Sequence, residues 1–430
     1  MALSGAHTTI ASAAAHSVPA IVDTSQVAYY LADADRVAAG SFASGTVRLS
    51  GPGQRYQDDL KSAHQALARA AEHDAAGTAG SGQLQAIEGL LVEYTSLIEQ
   101  AHAAAGQGAL ATAYLSYASN LMHKPADGIL AQVRTLQVAN QQELSRQRHT
   151  RWLAPAMLYG VLSPAAAALV LLVATQRFLS GHFHRRINPY LLAASALLIT
   201  LAGWTVVATS HSDRAFTTAC DEALPSLTAA WQARTLARQA AGSDALAVVQ
   251  TGPGQGFSPG FSTYTAPLAD RPMTPAVIQA ARTDAQAFRG LLADLLRGDL
   301  GPGAPDSSDS PERRDTAVRT LQDFQHFTAA DADLRQQAAR HDFAAAATTD
   351  PAMVATAVGP GATQLGGAGT ALDTDLARLT DRHRQRLADA EVSARSDLGL
   401  RLALPLLCAA IAALCVAGLW PRIDEYRAAR

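Results

Sequence analysis

The sequence predicts an all-α protein: transmembrane helices carrying two extracytoplasmic antiparallel four-helix bundles in tandem. Three observations predict it. Three long charge-free apolar stretches, Trp152–Thr175, Ile187–Ser210 and Leu402–Trp420, each have about the 20 residues a helix needs to cross a bilayer core. The two polar blocks between and before them, 1–151 and 211–401, carry apolar residues at helical spacing. Small-residue turns separate those helical runs.

Charge sets the expected orientation. The connector 176–186 reads QRFLSGHFHRR, with Arg177, Arg185 and Arg186 and no acidic residue. The tail 421–430 adds Arg422, Arg427 and Arg430 against Asp424 and Glu425. Short Arg-rich loops stay in the cytoplasm, so both short pieces are expected inside and both large blocks outside, in a multi-pass cell-membrane protein. Buried core helices would be the other use of such stretches, but those are shorter and amphipathic. Three spans with an inner C-terminus place the N-terminus outside. The opening MALSGAHTTIASAAAHSVPAIV makes a poor signal peptide, so either a further apolar span lies upstream of Met1, the favoured expectation, or the first membrane helix acts as a reverse anchor.

In the first block Val27, Leu31, Ala34, Ala38 and Phe42 form one helical face, ended by GTVRLSGPGQ. A second helix runs from Tyr56 through Leu60 and Leu67 to a turn in AAGTAGSG near 75–82. A third carries Ile87, Leu90, Leu91, Tyr94, Leu97, Ile98 and Ala101, and AAAGQGA at 103–109 reads as a kink or a turn. Ile129, Val133, Leu136, Asn140 and Leu144 mark the last helix. Long helices with short turns give an antiparallel bundle.

The second block repeats the plan. Val277, Ala281, Phe288, Leu292 and Leu295 make its expected second helix. Phe324, Phe327, Asp331 and Leu334 belong to the third, and Leu372, Leu376, Leu379, His383 and Leu387 to the last. Gly-, Pro- and Ser-rich loops are expected at 251–275 and 298–311. SVPAIVDTSQ followed by FASG is echoed by ALPSLTAAWQ followed by VQTG, which points to an internal duplication of span, bundle, span.

Little chemistry is legible. The net charge is −3, with 34 basic and 37 acidic residues, and no clustered basic face for nucleic acid. Of three cysteines, Cys408 and Cys415 lie in the last apolar stretch and Cys220 is the lone external one, so no disulfide framework exists. HFH at 182–184 offers either metal ligands or a basic anchor at the inner membrane surface. Asp331 and Asp333 flank one Ala on a helix, so their carboxylates diverge. The glycines of GPGATQLGGAG at 359–369, read as lying between Ala-rich helices, are the nearest thing to a phosphate loop. No metal motif, nucleophile elbow or cofactor site occurs, and no enzymatic activity or cofactor is expected. The apolar stretches contain no Asp, Glu, Lys, Arg or His, which argues against a transporter.

The segments AYYLADADRVAAGSF and YTSLIEQAHAAAGQGALATAYLSYASNLM resemble the four-helix-bundle ligand-sensing domains of bacterial chemoreceptors. Two such bundles with minimal cytosolic parts look like the actinobacterial GlnX-type membrane proteins. That resemblance implies a signal relay: a solute-binding lipoprotein senses glutamate-like amino acids outside, and a soluble Ser/Thr kinase responds inside. The four-span pattern of that family departs from the three spans here. The rival expectation is an envelope scaffold that only holds membrane complexes together. Membrane lipid is an expected partner, and a homo-oligomer is compatible with the layout.

If a bundle itself grips an acidic amino acid, guanidinium groups must hold the carboxylate. The candidates are Arg36 and Arg55 in the first block and Arg234 and Arg238 in the second, with surface solubility as their plainer role. For docking of a cytosolic partner or of lipid the candidates are Arg177, Arg185, Arg186 and Arg422.

Overall fold

The computed structural model describes residues 16–44, 51–73, 77–150, 163, 165–177, 189–250, 260–284, 286–300, 310–340, 351–396, 406–417 and 420. These residues are helical, with turns and no strand among them. The chain divides into two compact units. One comprises Met1–Ala14, Ser145–Ala223 and Gln385–Arg430; the other comprises Ala15–Leu144 and Leu224–Arg384. Both polar blocks thus contribute to one body.

In that body the first block forms α1 (Val18–Ala43), α2 (Gln54–His73), α3 (Gly77–Ala103), α4 (Ala109–His123) and α5 (Ile129–Thr150). Side-chain pairs give the directions. Arg55 meets Asp33 and Arg69 meets Asp23, so α2 runs antiparallel to α1. Tyr94 of α3 and Ser119 of α4 both reach Asp35, so the chain reverses between them. AAAGQGA is therefore a turn, and Gly108 at φ 51° supplies the left-handed residue it needs. His123 meets Asp35, Gln137 meets Ser25 and Asn140 meets Thr24, so α4 and α5 descend together along α1 as one interrupted pass. Lys124–Gly128 is the interruption; Gly128 is required there because a Cβ would fall 2.6 Å from the Lys124 backbone.

The expected turn at 75–82 is shorter than the sequence suggests. Gly77, at φ 58°, begins α3, and GTAGSG is already helical. α2 shows the stripe that binary patterning predicts: Tyr56, Leu60, Ala63, Leu67 and Ala70 are buried on one face. α1 does not. It buries Asp23, Thr24, Ser25, Gln26, Asp33 and Asp35 as well as its apolar residues, the signature of a helix surrounded by others.

The second block forms α7 (Leu224–Gln250), the short helices α8 (Gly260–Thr265), α9 (Pro275–Ala281) and α10 (Leu291–Leu296), then α11 (Ser310–Arg340) and α12 (Pro351–Ser396). Arg335 meets Asp244 and Arg382 meets Thr316, so α11 runs parallel to α7 and antiparallel to α12. The single second helix expected over Val277–Leu295 is broken. α9 ends at Ala281, and the chain turns through Thr283 and Asp284. It then passes Gly290 at φ 122°, where a Cβ would lie 2.6 Å from the Leu268 carbonyl oxygen. Backbone bonds from Leu291 to Pro267 and from Leu292 to Leu268 hold this close approach, which a helix cannot make. α8 lies within the expected loop 251–275.

The glycines of 359–369 are another correction. They lie inside the 46-residue α12, not between helices. Gly369 has a packing reason, since a Cβ there would meet the Phe327 ring at 3.2 Å.

α1 and α7 are the centre of this body. Tyr29 packs against Trp231 and Arg234, Asp33 meets Arg238, and Arg36 lies beside Gly242. The contacts climb both helices in step, so the two are parallel and in register. Both carry Pro within their first two residues, at Pro19 and Pro225. Those prolines are 206 residues apart in sequence, as are Arg36 and Gly242. One apolar core gathers α1 to α5, and another gathers α7 to α12.

In the other unit, α6 (Pro189–Thr218) covers most of the second apolar stretch and is followed by a π-helical turn, Ala219–Ala223. Further helices occupy 165–177 and 406–417. Gln176 Nε2 donates to Ser195 Oγ at 3.2 Å, and Leu191 and Ala194 are buried on the same side of α6. Among the described residues no helix is long and apolar enough to cross a membrane. Of the first stretch only 163 and 165–175 are described, and of the third only 406–417 and 420. His182, His184, Arg185, Arg186 and Arg422 lie outside the described residues.

Candidate functional site

The four arginines named from sequence for ligand binding converge. α1, α2, α7 and α12 bring Arg36, Arg55, Arg234 and Arg238 together around Asp33 and Asp373. Asp33 is encircled: Arg36 Nε lies 2.6 Å from Oδ1, Arg55 Nη2 2.7 Å from Oδ2 and Arg238 Nε 3.3 Å from Oδ1. Asp373 accepts from Arg234 Nε at 2.8 Å, from Arg238 Nη2 at 2.6 Å and from the Tyr29 hydroxyl at 3.0 Å. Arg238 thus bridges a carboxylate of each half.

An aromatic floor completes the cluster. The Arg234 guanidinium stands 4.1 Å from the Tyr29 ring centre and 4.7 Å from that of Trp231, and the two rings meet edge to face at 5.4 Å. Cation–π attraction is worth more here than at an exposed site because the groups are largely desolvated. Surface solubility does not describe three of these arginines. The side chain of Arg238 is 3% exposed, that of Arg234 11% and that of Arg36 18%; only Arg55, at 54%, reaches well into solvent.

Electrostatics follow from this burial. Burial pushes the Asp33 carboxyl up, but the Arg36 and Arg238 charges outweigh it and hold the group at about 2. Asp373 is likewise lowered: burial opposes ionisation, and the Arg234 hydrogen bond and Arg238 charge overcome it. Asp59 behaves oppositely. Burial and the Asp33 charge raise it to about 7, with Arg55 and Arg36 only partly offsetting them. Four guanidinium groups therefore face two firmly ionised carboxylates and one that titrates near neutrality. Arg238 Nε, although close to Asp33, is not aimed for a hydrogen bond and has no acceptor.

Two further polar centres were not legible in the sequence. Asp35 is buried at the core of the first block, where Tyr94 and Ser119 each donate to it at 3.2 Å and His123 Nε2 lies 2.9 Å away. Asp33 and Asp35, two residues apart on a helix, point in different directions, so one serves the α1–α7 seam and the other the interior. The second centre joins Asp244 of α7 to Asp331 of α11. Arg335 spans both, with Nη2 3.2 Å from Asp244 and Nε 2.6 Å from Asp331. Asp331 does diverge from Asp333, as its spacing requires, but it shares a carboxyl–carboxylate contact with Asp244 instead. Burial and that contact raise Asp244 to about 9. Among the described residues an open cleft of about 420 Å³ is lined by Gln286, Phe288, Arg289, Gly290, Asp294 and Arg297 and by none of the cluster residues.

Of the arginines named for cytosolic docking, only Arg177 is described; it is exposed at the end of the helix 165–177.

Residues 9–149 match the family model of an actinobacterial sensor domain. The matched stretch is the first block, with α1 to α4 and nearly all of α5, and it contains Asp33, Arg36, Arg55 and Asp59. It thus supplies one side of the arginine cluster and its central helix. No curated protein and no solved structure matches the chain. A sensing role for the first block accords with its similarity to a sensor domain.

Proposed function

We propose that the chain is a membrane-anchored sensor without enzymatic activity, and that the arginine cluster at the α1–α7 seam is where it recognises a small acid. One observation carries this reading. Arginines outnumber the aspartates around them in a largely buried site, and burying excess like charge is costly unless an anion offsets it. Guanidinium groups bind carboxylates bidentately, which suits a glutamate-like amino acid or the recognition surface of a solute-binding lipoprotein that carries one. The site draws on both halves, so an occupant would tie α1, α2, α7 and α12 together. A shift of one packed helix against another is a known way to transmit binding. The output would fall to a separate cytosolic effector such as a Ser/Thr kinase. Two tandem four-helix bundles outside the membrane remain the architecture that best accounts for the antiparallel passes.

Membrane placement is supported by where apolar side chains face solvent. Among the described residues, twelve of the seventeen large exposed hydrophobic side chains fall in the three apolar stretches, Leu171, Ile199, Trp204, Leu406 and Trp420 among them. Patches of that kind mark lipid or protein contact. Isothermal titration of the full-length chain in detergent with glutamate and aspartate tests recognition. Binding that disappears when Arg234 and Arg238 are both changed to Met supports it; no binding at about millimolar ligand removes direct sensing. Cysteines placed at Ser81 and Ser180 test the topology in intact cells. An impermeant reagent should label the first and spare the second, and labelling at Ser180 overturns the orientation.

A further inference from the structure

We propose that Asp59 is a proton-operated gate of the arginine cluster: it must be neutral for a doubly charged acid to bind, so that binding takes up a proton. This rests on the anion-recognition reading above and adds to it a ligand charge and a regulating residue.

The geometry makes Asp59 the odd member of the cluster. Asp33 already takes three guanidinium groups, from Arg36 and Arg55 and from Arg238 of α7. Asp59, one turn along α2 from Arg55, has a long ionic contact of 3.9 Å to Arg55 Nε and a carboxyl–carboxylate contact with Asp33, while the same arginine donates to Asp33 at 2.7 Å. Asp59 Oδ2 is buried without a hydrogen-bond partner. Two aspartates thus compete for one arginine, and two carboxylates sharing a site do not both ionise easily. The groups that face Asp59 are Asp33 and Arg36 from α1 and Arg55 from its own helix, with Arg238 of α7 acting on Arg55. The burial and the Asp33 charge that resist its ionisation place the change close to neutral pH.

The charge count then depends on that proton. With Asp59 ionised, four arginines face three carboxylates and the surplus is a single positive charge. With Asp59 neutral the surplus is two. A neutral Asp59 also leaves Arg55, the most exposed of the four, without a second carboxylate to attend to. A dicarboxylate complements the second condition, and an ionised Asp59 repels it. Binding and protonation are therefore linked, and each favours the other.

Succinate is a suitable probe because it carries two carboxylates and no amine. Its affinity for the full-length chain is measured by calorimetry between about pH 6.5 and about pH 8.5, where the probe itself stays almost fully ionised. Affinity should fall above pH 7, by at most about tenfold per pH unit, and the heat in two buffers of different ionisation enthalpy should report proton uptake that rises with pH towards one proton at the alkaline end. The D59N chain should bind as tightly at high pH as at low pH and take up none. Binding by the native chain that is independent of pH, or an unchanged pH slope in D59N, overturns the gate while leaving the anion site standing. Absence of succinate binding at every pH removes the site and the gate together.

Discussion

Changing Arg238 to Met and Asp373 to Asn, singly and together, measures the strength of the α1–α7–α12 junction. The Arg238 side chain is 3% exposed, and its Nη2 lies 2.6 Å from Asp373 Oδ2. A hydrogen bond between charged groups contributes about 1.5–3 kcal/mol, and removing one member of a buried pair costs about 3–5 kcal/mol when the other is left alone. Neither partner is left alone here. Without Arg238, Asp33 keeps Arg36 and Arg55, and Asp373 keeps Arg234 and Tyr29. Arg238→Met should therefore cost less, about 2–3 kcal/mol, whereas Asp373→Asn also takes the carboxylate from Arg234 and should cost about 3–5 kcal/mol. The double change should cost less than the sum, with a coupling of about 2 kcal/mol. Urea unfolding of the full-length chain in detergent, followed by circular dichroism, gives all four corners of the cycle. A coupling under about 0.5 kcal/mol, the range of exposed ion pairs, would refute the reasoning.

Gly242→Leu should wedge the α1–α7 seam apart, because even a Cβ there meets Arg36 Cα at 3.3 Å. A loss of about 1–3 kcal/mol is expected, with Gly242→Ala much milder, and equal effects of the two would argue against a tight seam. Asp244 predicts a pH effect. Its folded-state value of about 9 stands far above the ordinary 3.8, so its contribution is complete below about 4 and is lost as pH rises towards 9. Between pH 6 and 8.5 the native chain should lose stability by up to about 1.4 kcal/mol per unit from this group. Asp244→Asn should show a visibly shallower slope in thermal melts, and an identical slope would assign the titration elsewhere.

Much of the fold can be read from local spacing. The helical faces of Val27–Phe42 and Ile87–Ala101, and that of Leu372–Leu387, depend on residues three and four apart, and all form as the pattern requires. The arginines were also legible one by one, from the need of a carboxylate for guanidinium. Their convergence was not, because Arg55 meets Asp33 across a turn, and Arg238 meets Asp373 across most of the second block. No periodicity encodes such pairings. Glycine misled in both directions. Gly366, Gly367 and Gly369 continue α12 because helical contacts outweigh their cost of about 1 kcal/mol each. Gly290 interrupts an apolar pattern that otherwise reads as one helix, because its backbone must pass close to Leu268. Asp35 and Asp244 gave no signal, since a buried carboxylate looks the same in sequence as a solvated one.

The register of α1 against α7 has a consequence for counting. An arginine at position 242 as well would set two like charges against each other across the seam and force the helices apart. Instead α7 offers Gly242, and the Arg36 side chain turns to Asp33. The two parallel helices thus differ in side chain at the level where their backbones meet. Among the described residues the seam carries one arginine cluster, shared by both helices. On the anion-recognition reading proposed above, one ligand binds per polypeptide, so the dose–response of one isolated chain should follow simple saturation. Any steepness beyond that must come from contacts between chains.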